Sequence, residues 1–387
     1  MYNFDKIPSR LNTNSEKWSC DARVLPMWVA DMDFDTAPKI KEYLVNRATL
    51  GALGYSYVSD DLFLSYINFW KRHHGFTFEK EWMIFATGVV ASISSIVRKI
   101  TTVGENVLVM APVYNIFYNC IYNNGRNIIS SDLVYKNGIY EIDFDDLEKK
   151  LSDPQTTLLI LCNPHNPVGK IWTHDELLKI GKLAKKYNVT VLSDEIHCDI
   201  VRKGLKYTPF ASVSDECLKN SITLIAPSKC FNIAGLNSSM VVVYDKALRH
   251  KVWRGLNTDE CAEPNVFAVG ATIAAFNECD DWLNEVNDYI DENINYVCSF
   301  IKENIPSLYV CKCDATYLLW IDCAKATDDS DDFAAFLKNE TGLWVSSGKV
   351  YGKNAKTFIR LNVATSKENV KDGLNRLKDG TLKYMQK

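Results

Sequence analysis

The middle of the chain alternates short apolar segments with helical stretches, and this alternation constrains the fold more than any other feature of the sequence. Several of the segments are runs of four to six apolar residues, which is typical of strands buried on both faces of a sheet. The six candidate strands are residues 82–86, 107–111, 157–161, 189–193, 222–226 and 240–243. Strands that alternate with helices usually pair in parallel. The pattern therefore predicts an α/β fold with a mostly parallel sheet that helices cover on both sides.

The two ends of the chain follow a different pattern. Residues 273–305 are largely helical in period, and two short strands and a helix follow them before residue 362. The first 45 or so residues have loop character, and we expect them to pack on the C-terminal unit or on a partner subunit. The predicted division is an N-terminal segment 1–45 that packs on the small domain, a large domain 46–283 and a small α+β domain 284–387.

Charge and cysteine content narrow the class of ligand and the compartment. The 387 residues carry 44 Lys and Arg against 48 Asp and Glu, so no strongly basic field exists to attract nucleic acid or an anionic membrane. Twelve cysteines without framework spacing indicate reduced thiols. The sequence shows no signal peptide and no apolar run near the ~20 residues that a bilayer needs. We expect a cytoplasmic protein that binds a small molecule and no metal.

Chemically active side chains follow the predicted strands, at the sheet edge where α/β proteins bind ligands. Gly88 and Val89 open a helix after the first strand, and the free N–H groups of a helix start attract phosphate. Tyr114 brings an aromatic ring to the same edge. Each of these signals is weak by itself.

Three further strand ends add a polar amide, an acid and an amine. Asn166 begins the second of two Asn-Pro steps, Asp194 follows a buried strand, and Lys229 follows the next one. A carboxylate at such a position requires a cation, and a deprotonated lysine is a nucleophile. A phosphate seat, a flat ring, an amide, an acid and a lysine together meet the needs of pyridoxal phosphate.

The amino-acid sequences of these loops resemble those of a known family. The segments N-P-H-N-P-V-G, S-D-E-I-H and A-P-S-K-C-F-N-I-A-G-L are similar to those of fold-type-I pyridoxal-phosphate enzymes. Within that superfamily, P-M-W-V-A-D-M-D-F at 26–34 and F-I-R-L-N at 358–362 resemble the MalY/PatB-type cystathionine β-lyases. The resemblance runs from about residue 20 to 365. It implies a large domain with a mostly parallel seven-stranded sheet and a small α+β domain.

The resemblance assigns most of the cofactor contacts. It implies that Lys229 forms the Schiff base with pyridoxal phosphate, that Asp194 pairs with the ring nitrogen, and that Asn166 hydrogen-bonds the phenolic oxygen. Tyr114 would stack on the ring. His197 falls where aminotransferases usually carry a ring-facing tyrosine, so its role is either cofactor binding or structural.

The remaining site residues also follow from the resemblance. The Gly88 and Val89 amides and the Ser228 hydroxyl would bind the phosphate, joined by Tyr55 from the other subunit of a homodimer. Arg360 would hold the substrate α-carboxylate through its planar guanidinium, with Asn166 and Ala30 completing the substrate site. Tyr114 and Tyr55 are also expected among the catalytic residues, beside Lys229 and Asp194.

The implied reaction is the α,β-elimination of L-cystathionine and other cysteine S-conjugates to a thiol, pyruvate and ammonia. One alternative is an aminotransferase, which would use the same cofactor and lysine. Asn237 occupies the position of a phosphate-binding arginine of aminotransferases, and this favours the lyase. A second alternative, from another class, is a regulatory protein that binds a transcription activator.

The sequence also predicts the surroundings of several aromatic and histidine side chains. The aromatic residues Trp28, Tyr55, Tyr114 and Phe117 suggest an apolar substrate pocket. The four histidines in polar helical stretches are expected at the surface. They are His73, His74, His174 and His250.

Overall fold

The computed structural model describes residues 2–387 and contains a seven-stranded sheet at its centre. In spatial order its strands are Met83–Ala86, Ser239–Val242, Ser221–Ile225, Thr190–Asp194, Thr156–Cys162, Asn106–Val109 and Asn127–Ser130. Ser239–Val242 is antiparallel to both neighbours, and all other pairs are parallel. The predicted mostly parallel α/β sheet is confirmed.

Six of these strands match the six predicted segments within a few residues. The seventh, Asn127–Ser130, lies at the sheet edge and is half exposed. It lacks a continuous buried run, and for this reason the apolar pattern did not reveal it.

Helices cover both faces of the sheet because successive strand residues point to opposite sides. Leu158 and Ile160 pack in one cluster with helix Val89–Ile100, whereas Leu159 and Leu161 pack in another with helix His174–Lys186. The other helices of the first 270 residues are Pro38–Thr49, Asp60–His74, Ile116–Tyr122, Phe144–Leu151, Asp215–Lys219 and Lys246–Thr258. Strands Val134–Lys136 and Ile139–Glu141 pair in an antiparallel hairpin.

The C-terminal part forms a second, antiparallel sheet. Its order is Tyr309–Val310, Leu318–Asp322, Phe358–Asn362 and Ser346–Ser347. Helices Ser330–Thr341 and Lys367–Tyr384 accompany this sheet.

The helical stretch predicted over 273–305 is two helices. Ala268–Glu278 and Asp280–Asn304 are separated at Cys279, whose φ of −122° leaves the helical range. The predicted domain boundary at 283 falls inside the second helix, and the division of the chain into three parts stays a prediction.

The N-terminal segment is more ordered than its loop character suggested. Leu25–Pro26 pairs in parallel with Leu343–Trp344 of the C-terminal part. Helix Pro38–Thr49 begins with a proline at its first position, where the missing N–H costs nothing. The expectation of loop up to about residue 45 was therefore wrong for its last eight residues.

The prediction that His74 lies at the surface was also wrong. Its side chain is 7% exposed, and Nε2 lies 2.7 Å from Oδ1 of Asp199, which is 3% exposed. The polar pattern of the helix did not show this acid, because Asp199 lies 125 residues away in sequence.

None of the helices within residues 2–387 has both the length and the apolar composition that crossing a bilayer requires.

Candidate active site

A cavity of about 290 Å³ lies at the carboxyl ends of the parallel strands. The loops that follow the strands meet there because parallel strands all end at the same edge. Nine of the eleven predicted site residues line it: Ala30, Gly88, Val89, Tyr114, Asn166, Asp194, His197, Ser228 and Lys229. Cys162, at the end of strand Thr156–Cys162, also lines the cavity, although it was not among the predicted site residues.

Lys229 reaches across the cavity to the N-terminal segment. Its Nζ donates a hydrogen bond to the Ala30 carbonyl oxygen at 2.8 Å, and the Tyr317 hydroxyl donates to the same oxygen at 3.0 Å. Removal from water lowers the pKa of Lys229 to about 8; Asp31 opposes this change and Arg360 adds to it. A minor part of this amine is therefore neutral near pH 7, and about half of it at about pH 8.

Asp194 is a buried acid that requires a cation. Its side chain is 4% exposed and accepts one hydrogen bond, from the Ile196 amide at 3.2 Å. Burial raises the pKa of Asp194 to about 7, although the Ile196 amide and Lys229 act against this. No ion pair reaches its carboxylate from any residue that the structure describes. A protonated ring nitrogen at this position would supply the missing positive charge.

His197 contributes an imidazole held in its neutral form. Burial lowers its pKa to about 3, and the positive charges of Lys229 and Arg360 act in the same direction. Its Nδ1 is buried and has no hydrogen-bond partner among residues 2–387. The ring can therefore hydrogen-bond to a ligand in this cavity.

The start of helix Val89–Ile100 forms one wall of the cavity. Gly88 has φ of +124°, which favours glycine, and no side chain caps the helix. The Gly88 amide itself donates to Ser239 Oγ at 3.1 Å. Uncapped N–H groups and the helix dipole fit a phosphate at this wall.

Arg360 lies in an adjoining cavity of about 610 Å³ that shares Ala30, Tyr114 and Lys229 with the first. Its guanidinium is buried, and it donates from Nη1 to Asn166 Oδ1 at 3.1 Å and from Nη2 to the Trp28 carbonyl oxygen at 2.9 Å. Its Nε is a buried donor without a partner in the described part of the chain. We call the 290 Å³ cavity the inner cavity and the 610 Å³ cavity the outer cavity.

Residues 26–34 cross the mouth of the inner cavity, and we call them the N-terminal strap. Asn232, three residues after Lys229, donates to the Met32 and Phe34 carbonyl oxygens and accepts from the Met32 amide. Asn362 Nδ2 donates to the Val29 and Asp31 carbonyl oxygens at 2.6 and 2.7 Å. Lys17 and Asp33 form a buried ion pair at 2.9 Å. These contacts place Ala30 against Lys229.

The structure does not bring Tyr55 to either cavity of its own chain. Its side chain is fully exposed. The prediction of an apolar substrate pocket was also wrong in part. Phe117 is buried below Tyr114, with ring centroids 5.7 Å apart, and the outer cavity contains charged side chains beside Trp28.

These residues fit pyridoxal phosphate. Asp194 is a buried acid without a cation, His197 is an unpaired donor or acceptor, the helix start lacks a cap, and Lys229 has a lowered pKa. Asn237, in the left-handed conformation with φ of +49°, also lines the inner cavity near Gly88. Each feature would be costly in a closed apolar core. Pyridoxal phosphate carries a basic ring nitrogen, a phenolic oxygen, a phosphate and an aldehyde, which are suitable partners for such groups.

Comparison with known proteins identifies the family. The model described as aminotransferase class I and II matches residues 27–377. The chain belongs to the aminotransferase class I and II family. Cystathionine beta-lyase PatB of Bacillus subtilis (strain 168) is 41% identical over 383 residues, covering 97% of this chain and 99% of that protein. Protein MalY of Escherichia coli (strain K12) is 30% identical over 384 residues, covering 97% of each chain.

The solved structure of a similar protein contains the cofactor. The pyridoxal-phosphate-bound C-S lyase of Staphylococcus hominis has a TM-score of 0.92 and 33% identity, and the match covers 98% of both chains. The predicted resemblance to MalY/PatB-type lyases, the fold-type-I architecture and the cofactor are thus confirmed. Within the aminotransferase class I and II family, this chain groups with carbon–sulfur lyases.

Proposed function

We propose that this protein is a pyridoxal-phosphate-dependent carbon–sulfur β-lyase that cleaves L-cystathionine and other cysteine S-conjugates to a thiol, pyruvate and ammonia. The observation that carries the proposal is that the two cavities adjoin and share Ala30, Tyr114 and Lys229. Lys229 and Asp194 line the inner cavity, and Arg360 lines the outer cavity, which leaves room for a thioether side chain. The similarity to PatB and to the C-S lyase of Staphylococcus hominis supports the same reaction.

The proposed cofactor contacts use side chains and backbone amides that line the inner cavity. Asp194 would hold the ring nitrogen protonated, and Asn166 and His197 would approach the opposite edge of the ring. Tyr114 would stack on its face. The Val89 amide and the Ser228 hydroxyl would bind the phosphate. Gly88 would supply the tight turn there, since its own amide donates to Ser239.

The proposed chemistry assigns the proton transfers to Lys229. Bound pyridoxal phosphate supplies the electron sink that makes the Cα–H bond of an amino acid acidic. Arg360, with Asn166 beside it, would hold the α-carboxylate so that the Cα proton faces Lys229. The neutral lysine would accept that proton. The electron pair left at Cα would form a Cα=Cβ double bond as the Cβ–S bond breaks, and sulfur would leave as a thiolate, which is a good leaving group because a free thiol has a pKa of about 8.5. Water then completes the conversion to pyruvate and ammonia.

Tyr55 would act from a second copy of the chain. Tyr55 is fully exposed and lines neither cavity of its own chain, which is consistent with a phosphate contact across a homodimer interface. Neighbouring apolar side chains are exposed as well, at 70% for Leu50 and 59% for Leu53. A cytoplasmic location remains our proposal, based on the reduced cysteines.

The aminotransferase alternative receives less support. Asn237 lines the inner cavity where aminotransferases generally carry an arginine. Two of the three relatives reported above, PatB and the Staphylococcus hominis protein, are named as lyases. The regulatory alternative stays a prediction, which co-purification of a protein partner would test.

Product analysis tests the proposed function. The purified protein, loaded with pyridoxal phosphate, is incubated with L-cystathionine, L-cystine and an S-alkyl cysteine in the absence of any keto acid. We expect equal amounts of pyruvate and thiol. Amino-group transfer that requires an added keto acid, without thiol release, would instead identify an aminotransferase.

A further inference from the structure

The outer cavity carries two unpaired charges that no part of the proposed reaction uses. It is lined by Lys338 and Glu16 together with the aromatic residues Trp28 and Trp344. Arg360, at the inner end, accounts for the α-carboxylate. The two further charged groups must therefore face solvent or the distal end of a substrate.

Lys338 is positioned without a counter-ion. Its Nζ lies 3.2 Å from the centroid of the Trp344 ring, and no carboxylate forms an ion pair with it anywhere in residues 2–387. Trp344 in turn stacks on Trp28, with centroids 4.5 Å apart and planes 15° apart. The Trp28 carbonyl oxygen accepts a hydrogen bond from Arg360. A single wall thus runs from the α-carboxylate site to a free ammonium group.

Glu16 provides the opposite charge in the same cavity. The structure gives its carboxylate no ion pair among the described residues. A further acid of this cavity, Asp331, already has a cationic partner in Lys349 at 3.4 Å. One positive and one negative group are therefore left available, and together they match a zwitterion.

We infer that Lys338 and Glu16 bind the distal carboxylate and ammonium groups of thioethers whose leaving thiol carries a second amino-acid end. This inference rests on the proposed β-lyase function and names its substrate class. Lys338 and Glu16 are specificity-determining residues that do not touch the reacting atoms. A cavity of about 610 Å³ is also large for a cysteine with a short alkyl group, and ligand sites of ~300–1,000 Å³ typically enclose larger molecules.

Four substrates of matched length separate the two charges. L-Cystathionine has both distal groups, S-(3-carboxypropyl)-L-cysteine only the carboxylate, S-(3-aminopropyl)-L-cysteine only the ammonium, and S-butyl-L-cysteine neither. We expect Lys338→Met to lower kcat/KM about tenfold or more for the two substrates with a carboxylate and less than about twofold for the other two, since a charge-assisted hydrogen bond has that strength. The loss should fall on KM, because the distal contact is the same before and during reaction.

Two further variants and a control variant complete the test. Glu16→Gln should reduce kcat/KM for the substrates with a distal ammonium, and Lys338→Arg should retain the preference for a carboxylate. Lys182→Met, which removes an exposed lysine of helix His174–Lys186, is the matched control and should leave all four values unchanged.

The outcomes separate the inference from the function. An equal loss for all four substrates in Lys338→Met would mean that Lys338 only supports Trp344, and unchanged ratios would mean that it contacts no substrate; either result overturns the inference while the lyase activity stands. If the wild-type protein releases thiol from none of the four, the proposed function itself fails.

Discussion

At the scale of single residues, the inner cavity contains ionisable groups whose charged forms are destabilised by burial. We expect the bound ligand to stabilise those charged forms. Asp194 and Lys229 are both shifted toward their neutral forms by removal from water. A protein core would normally exclude such groups unless they are paired. An acid and an amine that are buried without forming an ion pair therefore indicate a binding site more directly than any hydrogen bond that the folded chain makes to itself.

Asp194→Asn should retain the fold and lose roughly 100-fold or more in turnover, because a neutral amide cannot hold the ring nitrogen protonated. Thiol release measured at saturating L-cystathionine checks this. Wild-type turnover in the variant would mean that another acid faces the ring.

The same substitution is expected to stabilise the cofactor-free protein, although it lowers the turnover of the loaded enzyme. Burial raises the pKa of Asp194 from 3.8 to about 7. The wild-type protein therefore loses stability relative to the Asp194→Asn variant as the pH rises from about 4 to about 7, and the difference is constant above about pH 7. We expect the Tm of the variant to exceed that of the wild type by about a few degrees at about pH 7.5 and by less at about pH 4.5. A difference that does not change with pH would exclude this origin.

Lys229→Ala should fold and bind pyridoxal phosphate only reversibly. Borohydride treatment of the wild-type protein should fix the cofactor on the peptide that contains Lys229, and the variant should show no fixed cofactor by mass spectrometry. Elimination activity should fall at least about 100-fold, since the general base is lost. Lys182→Ala serves as the surface control. Cofactor fixed elsewhere in the wild-type protein would reassign the lysine.

At the scale of elements, the N-terminal strap connects the two sheets to the reactive lysine. Asn232 comes from the loop after strand Ser221–Ile225, and Asn362 ends strand Phe358–Asn362. Each side chain hydrogen-bonds strap backbone on a different side. The strap has little regular structure of its own, so these amides replace the pairing that a strand would provide.

Asn232→Ala should loosen the strap. The change removes three hydrogen bonds, at ~1 kcal/mol each, and places alanine at φ of +55°. We expect a lower Tm, faster proteolytic cleavage within 26–34 and a higher KM for L-cystathionine. Asn137→Ala is a matched control, because Asn137 is exposed and has a similar φ of +51°, but makes no contact with the strap. If both variants behave alike, backbone strain alone is responsible.

At the scale of the whole molecule, we propose that a second copy of the chain binds at the exposed segment around Tyr55. Leu50, Leu53 and Tyr55 are all exposed, and apolar side chains in such a run usually mark an interface. A two-fold axis would supply each active site with the Tyr55 of the other subunit.

Mixed dimers test this arrangement. Lys229→Ala and Tyr55→Phe subunits are each expected to be impaired alone. In a heterodimer with shared sites, both substitutions fall in one site and the other is intact, so the activity of the mixture should exceed that of either parent. Mixing wild-type with Lys229→Ala subunits controls for exchange. No recovery despite proven exchange, or a fully active monomer in sedimentation, would contradict a shared site.

The sequence by itself determined the α/β class, six of the seven strands of the large sheet and the strand-end part of the inner cavity. Gly88, Asn166, Asp194 and Lys229 could be assigned from their positions after apolar runs, because parallel strands all end at one edge. The strap and Arg360 were found through the resemblance to a family, since nothing in their local pattern points to that edge.

Only the tertiary structure decided which distant groups meet. Lys229 contacts Ala30 across 199 residues, Arg360 contacts Asn166 across 194, and His74 is buried by Asp199. The outer cavity with Lys338 and Trp344 also forms where the chain's two ends close over the large sheet. Periodicity records whether a side chain is buried, but the identity of its neighbour depends on how separate elements pack, and no local pattern contains that information.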